Sequence, residues 1–260
     1  MNFSVLTFNT LFNNALKEIK EILKKYSPDI LCFQEFLINE ENIKNIERYN
    51  YSLAEYNNSF IKFGKIYGVA TFYKKNLFKL KSTEFINPAN NLSEFFFYLI
   101  KIFFQNNTQP KTILKTCFLE KKTNKKIDIY NIHLFVVGSN QARVSTIKKF
   151  MKKNYQKTNP MIICGDFNYY PIQRKKLEKM MNSLGFLEAT KKIFQTINPY
   201  KIEAKKQYVV IQKIIMPFYK IFEKTFKIDY VFYKNLKHIK TIRIENHYSD
   251  HYPIISYFKF

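Results

Sequence analysis

The sequence has no tryptophan, only five glycines and three cysteines, and just four of its 43 lysines and arginines are arginine (Arg48, Arg143, Arg174 and Arg243). Each shortage excludes something. Cys32, Cys117 and Cys164 are odd in number and form no Cys-x-x-Cys pair, so neither a disulfide framework nor a cysteine zinc site organises the chain. Cys32 and Cys164 lie inside apolar runs and are expected to be buried, reduced thiols. No apolar run reaches the roughly 18 residues that cross a bilayer. Residues 1–8 lack the basic and long apolar stretches of a secretion signal. Together these absences predict a soluble, cytoplasmic protein. There is no internal repeat and no Gly/Ser-rich linker, so a single domain over residues 1–260 is expected.

Lysine is abundant instead, and the formal net charge is +23. Two readings of that charge stand. A basic surface attracts nucleic acid or an anionic membrane without regard to sequence. Alternatively, Lys, Asn, Ile, Phe and Tyr are abundant together because AT-rich codons encode them all, and the charge is compositional. The apolar share of 46%, with 27 Phe and 19 Tyr, is enough for a sizeable core.

Residues 3–8 read as a strand ending at Asn9. Leu16, Ile19, Leu23 and Tyr26 recur at helical spacing, which predicts a helix over residues 15–26, stopped by Pro28. Residues 30–33 form a buried-strand run with Gln34 and Glu35 at its C-terminal end. Further strands are expected at 69–73, 127–134, 161–164, 228–233 and 254–258. Helices are expected at 141–153 and 174–184, the second closed by Gly185. The intensely apolar stretches 95–104 and 208–222 read as core helices, or else as a surface for lipid or a partner. Asn9, Glu35, His133, Asp166 and Asp229 all end or adjoin strand runs, where open α/β sheets gather binding groups.

The chemistry of these residues is that of phosphate esters. Magnesium takes oxygen ligands, and one or two carboxylates plus the substrate phosphate complete a site. Glu35, Asp166, Asp229 and Asp250, with the amides of Asn9 and Asn168, supply such a set. His133 and His251 can donate to phosphoryl oxygens or handle a proton, whereas His238 and His247 read as surface residues. In Gly165-Asp166-Phe167-Asn168 the glycine permits a sharp turn after a buried strand, and period-two geometry points Asp166 and Asn168 the same way.

Seven segments then resemble the endonuclease/exonuclease/phosphatase superfamily, the group related to deoxyribonuclease I. In chain order they are Leu6-Thr7-Phe8-Asn9, Cys32-Phe33-Gln34-Glu35, Gly68-Val69-Ala70, Asn131-Ile132-His133-Leu134, Gly165-Asp166-Phe167-Asn168, Ile228-Asp229-Tyr230 and Tyr248-Ser249-Asp250-His251-Tyr252-Pro253. The resemblance implies an α/β fold, a four-layer sandwich of two packed mixed β-sheets flanked by helices. It implies Mg²⁺ as cofactor, with Mn²⁺ as a substitute. Glu35 resembles the principal metal ligand, with Asn9 beside it and Asp250 completing the metal environment or holding its loop. Asp166 would align or deprotonate the attacking water, and Asn168 would orient the phosphate. His133 and His251 would contact phosphoryl oxygens, His251 also being a candidate base oriented by Asp229. Arg143 resembles an arginine that opens the following helix, with a structural or a substrate-binding role.

Abasic-site endonucleases of the family carry a Tyr-x-Pro-Asn stretch where this chain has Asn131-Ile132-His133-Leu134, and a Trp before the Asp-Tyr pair. Neither is present, and Tyr67 adjoins Gly68 out of the register of that group's active-site Tyr. The segment typical of inositol phosphate 5-phosphatases is also missing. A nuclease acting on DNA or RNA is therefore the first expectation, with nucleic acid as partner, no protein partner, and a monomer. The alternatives are a sphingomyelinase-like phosphodiesterase acting on lipid at an anionic membrane, and an inactive binding module. The intact set of Glu35, His133, Asp166, Asn168, Asp229 and His251 argues against the last.

Overall fold

Phe3 and Val5 point to one face of the first strand, β1 (Asn2–Asn9), and Leu6 and Phe8 to the other. Both faces are buried, which is why the segment reads as a continuous apolar run and not as an alternation. The computed structural model describes residues 1–13, 15–62, 64–86, 112–135, 139–154, 158–197 and 225–260. The apolar stretches 95–104 and 208–222 lie outside the described residues.

After β1 come α1 (Leu16–Tyr26), β2 (Ile30–Leu37), α2 (Glu40–Glu47), β3 (Ser52–Lys62), β4 (Lys65–Tyr73), β5 (Phe78–Ile86) and β6 (Thr112–Glu120). Then follow β7 (Lys126–His133), α3 (Asn140–Asn154), β8 (Met161–Asp166), α4 (Arg174–Ser183), β9 (Leu187–Glu188), β10 (Asp229–Lys234), β11 (Lys237–Arg243) and β12 (Ile254–Lys259). Two six-stranded sheets result, ordered β11-β12-β1-β2-β4-β3 and β5-β6-β7-β8-β10-β9. Each is mixed: β1 and β2 pair in parallel in the first, β7 and β8 in the second, and the other pairings are antiparallel.

Three apolar clusters make four layers. Ile19, Ile22 and Leu23 of α1 pack on Leu6, Phe8, Leu31 and Phe33 of the first sheet. Between the sheets lie Phe3, Val5, Ile30 and Cys32 from one side and Ile129, Ile162, Cys164 and Val231 from the other. Beyond the second sheet, Ile147 and Phe150 of α3 and Leu177 and Met181 of α4 cover Tyr130, Ile132 and Ile163. This is the sandwich implied by the resemblance. Cys32 and Cys164 are buried, reduced thiols.

Local chemistry sets the helix ends. Ser27 closes α1 in a left-handed conformation (φ 45°), donating its N–H to the Leu23 carbonyl. The Asn39 side chain caps α2 by accepting from the Asn42 N–H, with Glu40 and Glu41 in the first turn. His238 is half-buried and not a surface residue: its ring packs against Tyr233 and Phe258 and its Nε2 lies 2.8 Å from Thr241 Oγ1.

The layer between the sheets changes character along its length. Along β1 the inward side chains are Phe3, Val5, Thr7 and Asn9; along β2, Ile30, Cys32 and Gln34; along β7, Ile127, Ile129, Asn131 and His133; along β8, Ile162, Cys164 and Asp166. Each row is apolar at one end and polar at the other. The polar ends meet, because β1, β2, β7 and β8 lie at the middle of their sheets. At the boundary, Gln34 Nε2 donates to Asn131 Oδ1 at 2.7 Å, and Asn131 Nδ2 donates to the Phe33 and Ala70 carbonyls. Burying one large apolar side chain contributes about 1.5–3 kcal/mol, against about 1 kcal/mol net for a hydrogen bond. The apolar end therefore supplies most of the cohesion, and the amide pair fixes how one sheet is set against the other.

Candidate active site

Beyond Gln34 and Asn131 the inter-sheet layer carries charge. Asn9 Nδ2 donates to Asp166 Oδ2 at 3.1 Å, joining the ends of β1 and β8 across the sheets. The His133 Nε2 lies 3.8 Å from Glu35 Oε1 and 3.7 Å from Asp166 Oδ2. The His251 Nε2 lies 3.8 Å from the same Asp166 oxygen and 3.9 Å from Asp250 Oδ1. On its other edge, His251 Nδ1 meets Asp229 Oδ2 at 2.9 Å and Oδ1 at 3.1 Å. An ionised carboxylate only accepts, so Nδ1 carries the proton and Nε2 faces Asp166. Asn9, Glu35, His133, Asp166, Asp229, Asp250 and His251 are thus gathered in one place.

The backbone works to aim these groups. Alternation along β2 sends Gln34 inward and would send Glu35 outward. A β-bulge between Phe33 and Phe36, with Glu35 itself at φ 50°, turns that carboxylate toward His133. Glu35 therefore lies inside β2, not at its end as the sequence reading had it. Gly165 also works differently from the expected turn. It sits within β8 at φ 138°, and a Cβ there would meet the Ile132 carbonyl oxygen at 2.0 Å. The glycine allows β7 and β8 to approach where His133 and Asp166 emerge. Nor is the chain extended through Asn168, which is left-handed at φ 47°. Its N–H donates to Asp166 Oδ1 at 2.8 Å and its Nδ2 to the Leu134 carbonyl at 2.8 Å, so the loop folds back onto the carboxylate it follows.

Arg143 is not gathered with the others. Its guanidinium is buried, donates from Nε and Nη2 to the Phe135 carbonyl and stacks over Tyr170 at 4.6 Å. That geometry ties the segment after His133 to the segment after Asn168. Ser249 stands in the quoted motif but received no role from the sequence; its hydroxyl donates to the Asn9 carbonyl and accepts from the His251 N–H. A serine two residues before a site histidine is the available signal. Tyr67, set aside for its register, is buried beside Glu35 and lies edge-on to Phe12 at 5.3 Å; burial, and then the Glu35 charge, raises its hydroxyl above the ordinary tyrosine range.

Burial and neighbouring charge together set the site's protonation. Burial lifts the Asp166 carboxyl to about 7; His251 opposes that rise, and Asp229 and Glu35 add to it. For His251 burial acts downward, but the carboxylates of Asp229, Asp250 and Asp166 outweigh it and hold the imidazole well above its ordinary value. Burial likewise raises Asp250. The buried group of acids and imidazole retains protons that the same residues would lose in water.

Ligand atoms of Asp166, Asp229 and His251 lie within 4.8 Å of one another, a spacing that can hold a metal ion. Asp229 is hydrogen-bonded to the His251 ring and Asp166 accepts from Asn9 and Asn168, so the Glu35 carboxylate is the hard oxygen donor suited to a cation such as Mg²⁺. A mixed-sheet sandwich with carboxylates and imidazoles at the polar end of its inter-sheet layer is the architecture of a phosphoesterase. The chain belongs to the endonuclease/exonuclease/phosphatase family, whose sequence profile it matches over residues 6–251.

Its fold is similar to that of the human nocturnin catalytic domain, solved with a bound sulfate anion: 17% identity, TM-score 0.72, covering 100% of this chain and 94% of that one. It is similar also to TDP2 of D. rerio in complex with a single-strand DNA product, at 12% identity and TM-score 0.65, covering 100% and 99%. A mannosyl-6-phosphatase of Bacteroides thetaiotaomicron is a third, at 15% identity and TM-score 0.66, covering 99% and 100%. At these identities the likeness is one of fold. No curated protein matches the sequence.

Proposed function

We propose that the protein is a Mg²⁺-dependent phosphodiesterase that hydrolyses nucleic acid by activated water. The observation that carries this reading is the run of contacts Glu35–His133–Asp166–His251–Asp229, with gaps of 3.8, 3.7, 3.8 and 2.9 Å. Glu35, with Asn9 beside it, would hold the metal, which when bound supplies positive charge for a phosphoryl oxygen. The deprotonated Asp166 carboxylate aligns the attacking water and takes up its proton, and its lifted proton affinity suits that step near neutral pH. His251, held in one tautomer by Asp229, presents Nε2 to the phosphoryl group, where its raised affinity favours the donating form. His133 offers a second donor from the Glu35 side. Asn168 holds the Asp166 carboxylate from its backbone.

Nucleic acid is favoured as substrate by the charge of +23 and by the single-strand DNA product that the D. rerio neighbour holds. The test is a panel of plasmid DNA, single-stranded DNA, RNA, sphingomyelin and sugar phosphates, each with Mg²⁺ and with chelator. Cleavage of DNA or RNA that chelator abolishes is expected. Turnover of sphingomyelin or a sugar phosphate alone would move the protein to another branch. Inertness throughout would refute the enzyme reading.

A further inference from the structure

Thr196 has no role in the site described above, yet it touches the backbone on both sides of the Asp229–His251 pair. It is fully buried. Its Oγ1 accepts from the N–H of Ile228 at 3.0 Å and from the N–H of Asp229 at 3.1 Å. Its own N–H donates to the Phe226 carbonyl at 3.0 Å, and its carbonyl accepts from the Tyr252 N–H at 2.8 Å. The next residue, Ile197, forms an isolated β-bridge with His251.

The topology explains why a hydroxyl is needed there. β10 has β8 on one side along its whole length, but β9 covers only Phe232 and Tyr233 on the other. At Asp229 no strand among the described residues completes the second edge, and buried N–H groups need an acceptor. A threonine hydroxyl has two lone pairs and can accept from two donors at once. Its β-branched side chain also has few rotamers, which fixes where those lone pairs point. The approach to Asp229 is anchored independently, since Lys227 pairs with Glu188 and donates to the Thr190 carbonyl at 2.7 Å.

We propose that Thr196 is a positioning residue: its hydroxyl fixes the Asp229 backbone, and its main chain fixes the strand edge after His251, so that the carboxylate spans Nδ1. This rests on the reading of Asp229 and His251 as the pair that presents Nε2 to substrate. Thr196→Val keeps the shape and removes the acceptor, whereas Thr196→Ser keeps the acceptor.

With plasmid DNA and Mg²⁺, Thr196→Val is expected to lower kcat about 10²-fold with KM nearly unchanged, the scale of a misplaced group, and Thr196→Ser to restore it. The low-field proton resonance of His251 Nδ1–H should persist in wild type and Thr196→Ser and be lost or displaced in Thr196→Val. If Thr196→Val does not fold, Thr196→Cys, a weaker acceptor of similar size, takes its place, with a partial loss and a displaced resonance expected. A valine or cysteine variant with wild-type kcat and an unmoved resonance overturns the proposal. A wild type inert on every substrate sinks the phosphodiesterase reading instead, and the proton resonance still decides the role of Thr196.

Discussion

The β1–α1–β2 and β7–α3–β8 units are built alike. Each is a parallel pair joined through a helix at the middle of its sheet, and each brings two side chains to the charged site, Asn9 and Glu35 from the first and His133 and Asp166 from the second. They differ in how the second side chain gets there. In β8 the alternation Ile162, Cys164, Asp166 runs unbroken, and Gly165 lets the neighbouring strand come close enough to use it. In β2 the alternation Ile30, Cys32, Gln34 is interrupted, and Glu35 is swung inward by a bulge and a left-handed backbone. The loop after β1 is also left-handed at Leu11, Phe12 and Asn13. Each such residue costs on the order of 1–2 kcal/mol. The first unit thus spends conformational strain to aim one carboxylate, and the second unit spends a side chain. The strained unit carries the groups suited to a cation, and the other carries the carboxylate that faces His251.

The largest test of that division compares Asp166→Ala with Glu35→Gln. Asp166→Ala should lower kcat/KM about 10⁴-fold at every Mg²⁺ concentration, the scale of losing one member of a catalytic unit. Glu35→Gln should raise the half-saturating Mg²⁺ concentration about 10- to 100-fold, with much of kcat returning at high Mg²⁺. Equal Mg²⁺ dependence in the two variants would erase the distinction between the units.

A smaller effect is expected where the units are joined. Gln34→Met and Asn131→Leu should each destabilise the fold by about 1–3 kcal/mol, because each strands a buried partner. The double variant should cost less than their sum by more than about 0.5 kcal/mol in denaturant melts. Strict additivity would mean that the two amides act separately.

The smallest effect is on the pH dependence of stability. Asp166 and His251 both bind protons more tightly folded than unfolded. Above the ordinary aspartate range the folded state therefore holds more protons, and stability declines as pH rises through about 7. Wild-type Tm should be lower near pH 7.5 than near pH 5, and Asp166→Asn should flatten this slope. A slope unchanged in Asp166→Asn would place the extra protons elsewhere.

The same division explains what could be read from the sequence. Asp166, His133 and Asn9 follow the period-two rule in strands with strong apolar runs, so their placement was legible. Glu35 breaks that rule: its place after the 30–33 run and the resemblance of Cys32-Phe33-Gln34-Glu35 to a family motif picked it out, but neither reports the bulge that aims it. Asn168 was picked out for the right neighbourhood by the wrong geometry, since nothing in Gly165-Asp166-Phe167-Asn168 reports a left-handed φ. The outlying strands β3, β5, β6 and β11 were not anticipated. β5 and β11 are largely exposed and polar on much of their surface, so they lack the apolar run that marks a central strand. Helix α2 was also missed, although Asn39 followed by Glu40 and Glu41 is a capping signal.

The bond between Gln34 and Asn131 bears on how such a protein can change over time. Apolar sheet faces attract without direction and would tolerate small slips past each other. A buried amide pair tolerates only a few tenths of an ångström before it fails, so it works as a dowel between two plates. With the plates indexed from inside, the outside is released from that duty. Lysine can replace arginine across the exterior, and codon bias can drift, while the distance from Asn9 to Asp166 stays where the dowel sets it.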